Sequence, residues 1–121
     1  MACKQLKEKT FPRRYRISRR EGFSQILKTR AQTTSWFAIH WEDGKAGHAR
    51  LGVTVSKRVV PTAVGRNRIK RLIREQFRAI SRHGLSRDIV VRLRKQPGKT
   101  ERLEAGKVLT DAFKRILAVN E

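Results

Sequence analysis

Residues 65–78 concentrate positive charge on one side of a predicted helix. The run reads Gly-Arg-Asn-Arg-Ile-Lys-Arg-Leu-Ile-Arg-Glu-Gln-Phe-Arg. At about 100° per residue, the neutral side of this helix consists of Leu72, Ile73, Gln76, Phe77 and Ile80. The opposite side carries Asn67, Lys70, Arg71, Arg74, Arg78 and Arg82. Cations three or four residues apart repel one another, so a stripe without a carboxylate is suited to phosphates, whose charge offsets that repulsion.

Groups for acid–base or metal-dependent catalysis are scattered along the sequence. The ten acidic residues occur singly or in turns, and the histidines His40, His48 and His83 lack metal-ligand spacing. The single cysteine, Cys3, cannot form an internal disulfide, and Gly65 lacks the spacing of a nucleotide-binding phosphate loop. We therefore assign no catalytic residue, metal ligand or cofactor to the protein, and any catalyst is expected in another component.

The whole chain is strongly basic for its length. Its 121 residues include 30 Lys plus Arg and 10 Asp plus Glu, which gives a formal net charge of +20. A charge of this size favours a nucleic-acid partner, while no apolar run reaches the roughly 18 residues that a membrane span needs. No protein partner is implied. We expect a flexible basic arm at residues 1–15, one RNA-binding domain at residues 16–121, and a cytoplasmic location.

The spacing of apolar residues predicts an α/β (α+β) two-layer sandwich with a small mixed sheet. The predicted elements are a helix at about 19–29, strands at 33–41 and 49–56, the basic helix at 63–82, a strand at 88–93, and a helix that begins after Thr100. An Asp-Gly pair at 43–44 predicts that the first two strands form a hairpin. A strand, the basic helix and a further strand in succession predict a parallel pair joined by that helix.

Apolar and aromatic side chains accompany the charge. Phe23 and Leu27 lie on the first predicted helix, and residues 36–41 form an aromatic-rich strand. Bases stack on aromatic side chains for about 1–3 kcal/mol each, so this combination suits single-stranded RNA. For Phe23, Leu27, Phe37 and Ile39, a place in the hydrophobic core is the equally weighted alternative.

Arg66-Asn67-Arg68-Ile69-Lys70-Arg71-Leu72-Ile73-Arg74 resembles the signature helix of the bacterial ribonuclease P protein family. The segments Leu51 to Arg58 and Asp88 to Val91 resemble other parts of that family in order and spacing, and the likeness covers about residues 10–117. The resemblance implies a ribonucleoprotein endoribonuclease that removes the 5′ leader from precursor tRNA. In such an enzyme, the RNA subunit performs the Mg²⁺-dependent hydrolysis and the protein subunit assists.

The resemblance also implies site residues. The expected contacts to the catalytic RNA are Arg66, Asn67, Arg68, Lys70, Arg71 and Arg74, to which we add the neighbouring cations Lys57, Arg58 and Arg78. The family's leader cleft, between the first helix and the sheet, is expected to contain Phe23 and Leu27 with a strand residue among Phe37, Ile39 and His40. The family further implies a left-handed strand-helix-strand crossover, although about 98% of such crossovers are right-handed.

Two other classes of protein fit parts of these observations. A basic RNA-binding module, such as a small ribosomal protein or an RNA chaperone, would share the charge but not the Arg-Asn-Arg signature. A membrane-active basic peptide would need a helix with an exposed apolar face, whereas each apolar stripe here has a partner to pack against. The preferred hypothesis is a ribonuclease P subunit whose partners are the catalytic RNA and precursor tRNA, with Mg²⁺ required by the ribonucleoprotein.

Overall fold

A computed structural model describes residues 16–17, 26–28, 31–44, 47–80 and 86–118. The described elements are β1 (Ala31–Thr33), β2 (Phe37–Asp43), β3 (Arg50–Thr54), α1 (Ala63–Ile80), β4 (Arg87–Leu93) and α2 (Arg102–Ile116). The strands form one mixed sheet in the order β1-β2-β4-β3, which confirms the predicted fold class. The predicted arm at 1–15 and most of the predicted helix at 19–29 lie outside the described residues. Within that helix, the backbone of Ile26 is helical and Leu27 lies in a turn.

Strand β4 occupies the interior of the sheet. It pairs antiparallel with β2 and parallel with β3, and Ile89, Val90 and Val91 are all fully buried. A strand that is apolar on both faces is stable only where both faces are covered, which favours an interior position. The prediction that 33–41 and 49–56 form a hairpin was therefore wrong, because β4 lies between β2 and β3. The N–H of Gly44 donates to the carbonyl of Ser86 at 3.0 Å, so the chain at the Asp-Gly pair still follows β4.

A hairpin does form, but earlier in the chain, between β1 and β2. The N–H of Thr34 donates to the carbonyl of Phe37 at 2.8 Å, and the N–H of Phe37 donates to the Thr34 hydroxyl at 2.9 Å. A threonine hydroxyl that binds a nearby backbone N–H stabilises a turn at the expense of an extended strand. This turn interrupts the strand predicted at 33–41, so that Thr33 ends β1 and β2 begins only at Phe37.

Helix α1 joins the neighbouring parallel strands β3 and β4, as predicted. One side of α1 is buried through Ile69, Ile73, Phe77 and Ile80, and α2 contributes Ala105, Leu109, Ala112, Phe113 and Ile116 to the same hydrophobic core. The rings of Phe77 and Phe113 meet edge to face, with 5.6 Å between their centroids. The two helices thus pack on each other and on the sheet, and the opposite side of α1 is left free for its cations.

The alternation of side chains along the strands divides the sheet into two faces. Phe37 and Ile39 lie in the core with α1 and α2. Val90 belongs to a second buried cluster with Ile17 and Ile26, against which Leu27 also packs. The second face of the sheet is therefore covered in part by residues that precede β1.

An ion pair joins β3 and β4 where their parallel ladder begins. Arg50 and Asp88 are partners in the register, and Arg50 Nε and Nη2 donate to Asp88 Oδ1 and Oδ2 at 3.0 and 2.8 Å. Only 5% of Asp88 is exposed. A two-point pair in this position specifies geometry as well as contributing energy, so it supports the register between β3 and β4.

Replacement of Asp88 should destabilise the domain. We expect Asp88→Ala to lower the free energy of unfolding by about 3 kcal/mol, because the mostly buried guanidinium of Arg50 loses its carboxylate. Urea denaturation followed by circular dichroism measures the change. Asp111→Ala, which removes an exposed carboxylate on α2, is the matched control and should leave the midpoint within error. Equal midpoints for the two variants would contradict the importance of the pair.

Two side chains pack closely against the Gly65 backbone at the start of α1. Thr62 precedes the helix, and its hydroxyl accepts the N–H of Gly65 at 3.1 Å, the arrangement of an N-cap. A Cβ atom at Gly65 would lie 2.8 Å from both Thr62 Oγ1 and Val60 Cγ1. Glycine is therefore required here by space, since a methyl group would displace the cap that orients the first turn.

Two glycine substitutions in helices should have effects of opposite sign. Gly65→Ala should destabilise the domain, because the new methyl group meets the Thr62 cap, although alanine is favoured over glycine in a helix by about 1 kcal/mol. Gly106→Ala in α2 is the control, since its Cβ would find its nearest contact at 3.5 Å, an ordinary packing distance, and it should stabilise. Thermal unfolding of both variants tests this. A stabilised Gly65→Ala variant would contradict the steric reason.

Candidate nucleic-acid interface

The outward side of α1 is cationic along most of its length. Asn67, Arg68 and Arg71 are exposed, whereas the side chains that border the sheet or the neighbouring loop are half-buried, namely Arg66, Lys70, Arg74 and Arg78. Glu75 is the only acidic residue between Ala63 and Ile80. The sequence prediction of a basic surface opposite an apolar one thus matches the burial pattern of the helix. The predicted Arg82 lies outside the described residues.

Three cations of this surface have no carboxylate partner among the described residues. Within the part of the chain that the structure describes, Lys70, Arg71 and Arg74 form no ion pair, and the acidic partners Asp43 and Asp88 are engaged with strand arginines. Like charges spaced by one turn destabilise a helix by a few tenths of a kcal/mol per pair. An external anion would therefore both bind to this surface and relieve its repulsion.

Arg66 differs from the other predicted contacts because its side chain supports the backbone. Its Nη1 donates to the carbonyls of Val60 and Pro61 at 3.0 and 2.9 Å. These bonds hold the 57–61 loop against the first turn of α1. Lys57 and Arg58 are exposed in that loop. Through these bonds, Arg66 helps to position the loop that carries Lys57 and Arg58.

The predicted cleft residues do not all lie on one face of the sheet. Phe37 and Ile39 are fully buried in the core with α1 and α2, and their assignment to the cleft was wrong because alternate strand residues point away from the face that Leu27 approaches. His40 pairs across the sheet with Val90, so it lies on the Leu27 face. Phe23 lies outside the described residues.

His40 retains hydrogen-bonding capacity inside this second face. It is only 7% exposed, and neither of its ring nitrogens has a hydrogen-bond partner among the described residues. Buried polar groups of proteins are normally paired, so an unpaired imidazole on a predicted ligand-binding face is noteworthy. Among the three strand candidates, His40 is therefore the one that lies on the face that Leu27 approaches, with its ring nitrogens buried there.

Two basic residues that the sequence analysis did not select lie close to these surfaces. Arg92 is exposed on β4 and pairs across the sheet with Ala38 and Thr54, so it shares the face of His40. Arg16 forms a parallel bridge with Leu51 at the outer edge of β3. Strand alternation could have identified Arg92, but nothing in the sequence distinguishes Arg16 from the other arginines around it.

Arg74 is partly buried and lies close to the positive charge of Arg16. Burial, and after it the positive charge of Arg16, lowers the pKa of the Arg74 guanidinium from its ordinary value. An arginine remains protonated at neutral pH in spite of such a shift. The two cations therefore face each other at a cost that a bound anion would offset.

Other kinds of site are absent from the described residues. No group of three or more His, Cys, Asp and Glu side chains in the described ranges could hold a metal ion. A search of the same ranges finds no helix with the length and apolar character needed to span a membrane.

Comparisons with known proteins agree with this fold and identify its family. The sequence model of the ribonuclease P family matches residues 11–117. The ribonuclease P protein component of Thioalkalivibrio sulfidiphilus is 39% identical over 69% of this chain and 71% of the relative. That of Chromobacterium violaceum is 34% identical over 88% of both chains. The solved structure of the Staphylococcus aureus RNase P protein is 31% identical, with a TM-score of 0.66 over 91% of this chain and 94% of that one. This chain belongs to the ribonuclease P protein family, the protein components of a tRNA-processing ribonucleoprotein.

Proposed function

We propose that the protein binds the catalytic RNA of ribonuclease P through the outward side of α1 and the 57–58 loop. The observation that carries this proposal is that Lys70, Arg71 and Arg74, on one side of α1, have no ion pair within the described residues. Lys57, Arg58, Asn67, Arg68 and Arg71 are all exposed on this surface. Phosphates neutralised by such side chains release counterions, and this release supplies most of the binding free energy at moderate salt.

The 5′ leader of precursor tRNA is proposed to bind on the other face of the sheet. Leu27 packs there against the cluster of Ile17, Ile26 and Val90, His40 lies on that face with both ring nitrogens buried, and the exposed Arg92 provides a cation at the margin. An unpaired strand of RNA offers base edges and faces that such a surface can hydrogen-bond and stack. Two RNA molecules would thus be held on opposite faces of one small domain.

The protein's contribution to cleavage is electrostatic and positional. We propose that the RNA subunit, with its Mg²⁺ ions, carries out the hydrolysis in the cytoplasm, and that the protein reduces the repulsion between two polyanions at their meeting point. The family membership favours this role over that of a basic RNA-binding module with no part in cleavage.

Reconstitution tests the proposed activity. The full-length protein, mixed with the catalytic RNA and a precursor tRNA at low Mg²⁺ concentration, should increase cleavage at the single site that yields the mature 5′ end. The reason is that phosphate neutralisation lowers the concentration of divalent ions that the complex needs. The protein without RNA should give no product. Accurate cleavage by the RNA-free protein would falsify the proposal.

The salt dependence of RNA binding tests the role of α1. Arg71→Gln should reduce the slope of log affinity against log salt by about 0.7–0.9 for the catalytic RNA, because one phosphate contact is lost. Arg115→Gln, which removes an exposed cation from α2, is the control with the same change of net charge. Filter binding at several KCl concentrations measures both slopes. If Arg71→Gln and Arg115→Gln have equal slopes, α1 is not the RNA interface.

A further inference from the structure

A groove with a volume of about 340 Å³ lies between α1 and α2. Leu72 and Gln76 line it from α1, and Leu103 and Gly106 line it from α2. Sites for small organic groups have volumes of about 300–1,000 Å³ and combine apolar walls with a few polar atoms. The α1–α2 groove has both properties, and neither the core nor the sheet accounts for it.

Two leucine side chains provide the apolar walls of the groove. Leu103 is 75% exposed, the highest value for a large apolar side chain in the described part of the chain. Leu72 is half-buried on the other helix. A Cβ atom at Gly106 would lie 3.7 Å from Leu72 Cδ1 and 3.5 Å from Gln76 Nε2. Because Gly106 has no side chain, the groove stays open at this point.

The polar atoms of the groove are only partly paired. The Thr110 hydroxyl lies 2.7 Å from Gln76 Oε1 and 2.9 Å from the carbonyl oxygen of Gly106. Its single hydrogen can be donated to one of these two acceptors at a time. Gln76 Nε2 has no hydrogen-bond partner among the described residues. The Gln76 amide therefore retains hydrogen-bonding capacity in the groove.

Charged side chains border the groove on both helices. Arg102, Lys107 and Asp111 line it from α2. On α1, the exposed Arg68 lies one turn before Leu72. Cations on both sides match the backbone of an RNA strand, whereas the Asp111 carboxylate can accept a hydrogen bond from the amino group of a base.

We infer that the α1–α2 groove binds one unpaired base of the catalytic RNA. The inference rests on the proposed function, because an RNA strand that contacts the α1 cations passes beside Leu72. Leu72 and Leu103 would enclose the base, as apolar side chains do around extruded bases, and Gln76 would hydrogen-bond its edge. Because this contact is not ionic, it should persist at salt concentrations that weaken the phosphate contacts.

Chemical probing of the RNA bases tests the inference directly. The catalytic RNA is treated with dimethyl sulfate and with a carbodiimide, alone and with saturating full-length protein. We expect the protein to protect one unpaired base that becomes reactive again with Leu103→Ala. Val64→Ala is the matched control, because Val64 is 69% exposed on α1 and lies outside the groove, so it should protect that base fully. If no protected base depends on Leu103, the inference is overturned.

Filter binding provides a second readout for the same variants. Leu103→Ala should raise the dissociation constant of the catalytic RNA about five-fold, because stacking on the base is lost. The slope of log affinity against log salt should not change, since no charge is removed. Circular dichroism verifies that the variant is folded, as expected for an exposed side chain. Equal dissociation constants for Leu103→Ala and Val64→Ala would exclude RNA as the occupant of the groove.

Gly106→Ala separates RNA binding from stability. Its methyl group narrows the groove beside Leu72 and Gln76, so this variant should bind the catalytic RNA several-fold more weakly although it should unfold at a higher temperature. A general defect of the fold would lower both quantities together. A more stable Gly106→Ala variant with unchanged RNA affinity and unchanged base protection would contradict the inference.

Failure of the proposed function has a different signature. It would appear as equal salt slopes for Arg71→Gln and Arg115→Gln, and neither of these residues lines the groove. A reduced slope for Arg71→Gln, together with unchanged binding by Leu103→Ala, would overturn the base site and leave α1 as the RNA interface.

Discussion

Burial of β4 on both faces is the constraint on which the rest of the structure depends. Ile89 and Val91 need the helices on one face, and Val90 needs the residues around Ile26 on the other. A strand with these requirements takes an interior place, with β2 and β3 as its two neighbours. Because β3 and β4 are parallel, the connection between them must cross over the sheet, and α1 is that connection. The most basic segment of the chain is thereby placed against the edge strand β3.

The apolar side of α1 and its cationic side have opposite consequences for stability. Burial of Ile69, Ile73 and Phe77 stabilises the helix on the sheet, at about 1.5–3 kcal/mol for each fully buried side chain. The cations on the outer side repel one another and oppose folding, and Lys70, Arg71 and Arg74 have no ion pair among the described residues to offset this. Burial of the apolar side stabilises the helix in spite of that repulsion. This division explains how a chain with a net charge of +20 can fold while it keeps cations on its surface.

Regular periodicity allowed the helices and the buried strand to be predicted from sequence, whereas pairing between distant segments did not follow from it. The 3.6-residue spacing of α1 and the apolar run of β4 are local properties. The failed hairpin prediction rested on the Asp43-Gly44 pair, a local turn signal that cannot report that β4 is the better partner for both strands. His40 could be separated from Ile39 only when the register with Val90 was known. The place of Arg16 beside β3 could not be predicted from the sequence, because it depends on a bridge to Leu51.

The short segment at residues 16–17 connects the two proposed RNA surfaces. Arg16 bridges to Leu51 at the outer edge of β3 and lies near Arg74 of α1, while the next side chain, Ile17, is buried with Ile26 and Val90 on the face assigned to the leader. Adjacent residues of an extended segment point to opposite sides, so one placement of this segment serves both surfaces. An RNA contact that held this segment against β3 would also hold Ile17 in the second cluster. By linkage, any free energy that the catalytic RNA contributed to this placement would be available to the leader, and the leader would return the same amount to the RNA.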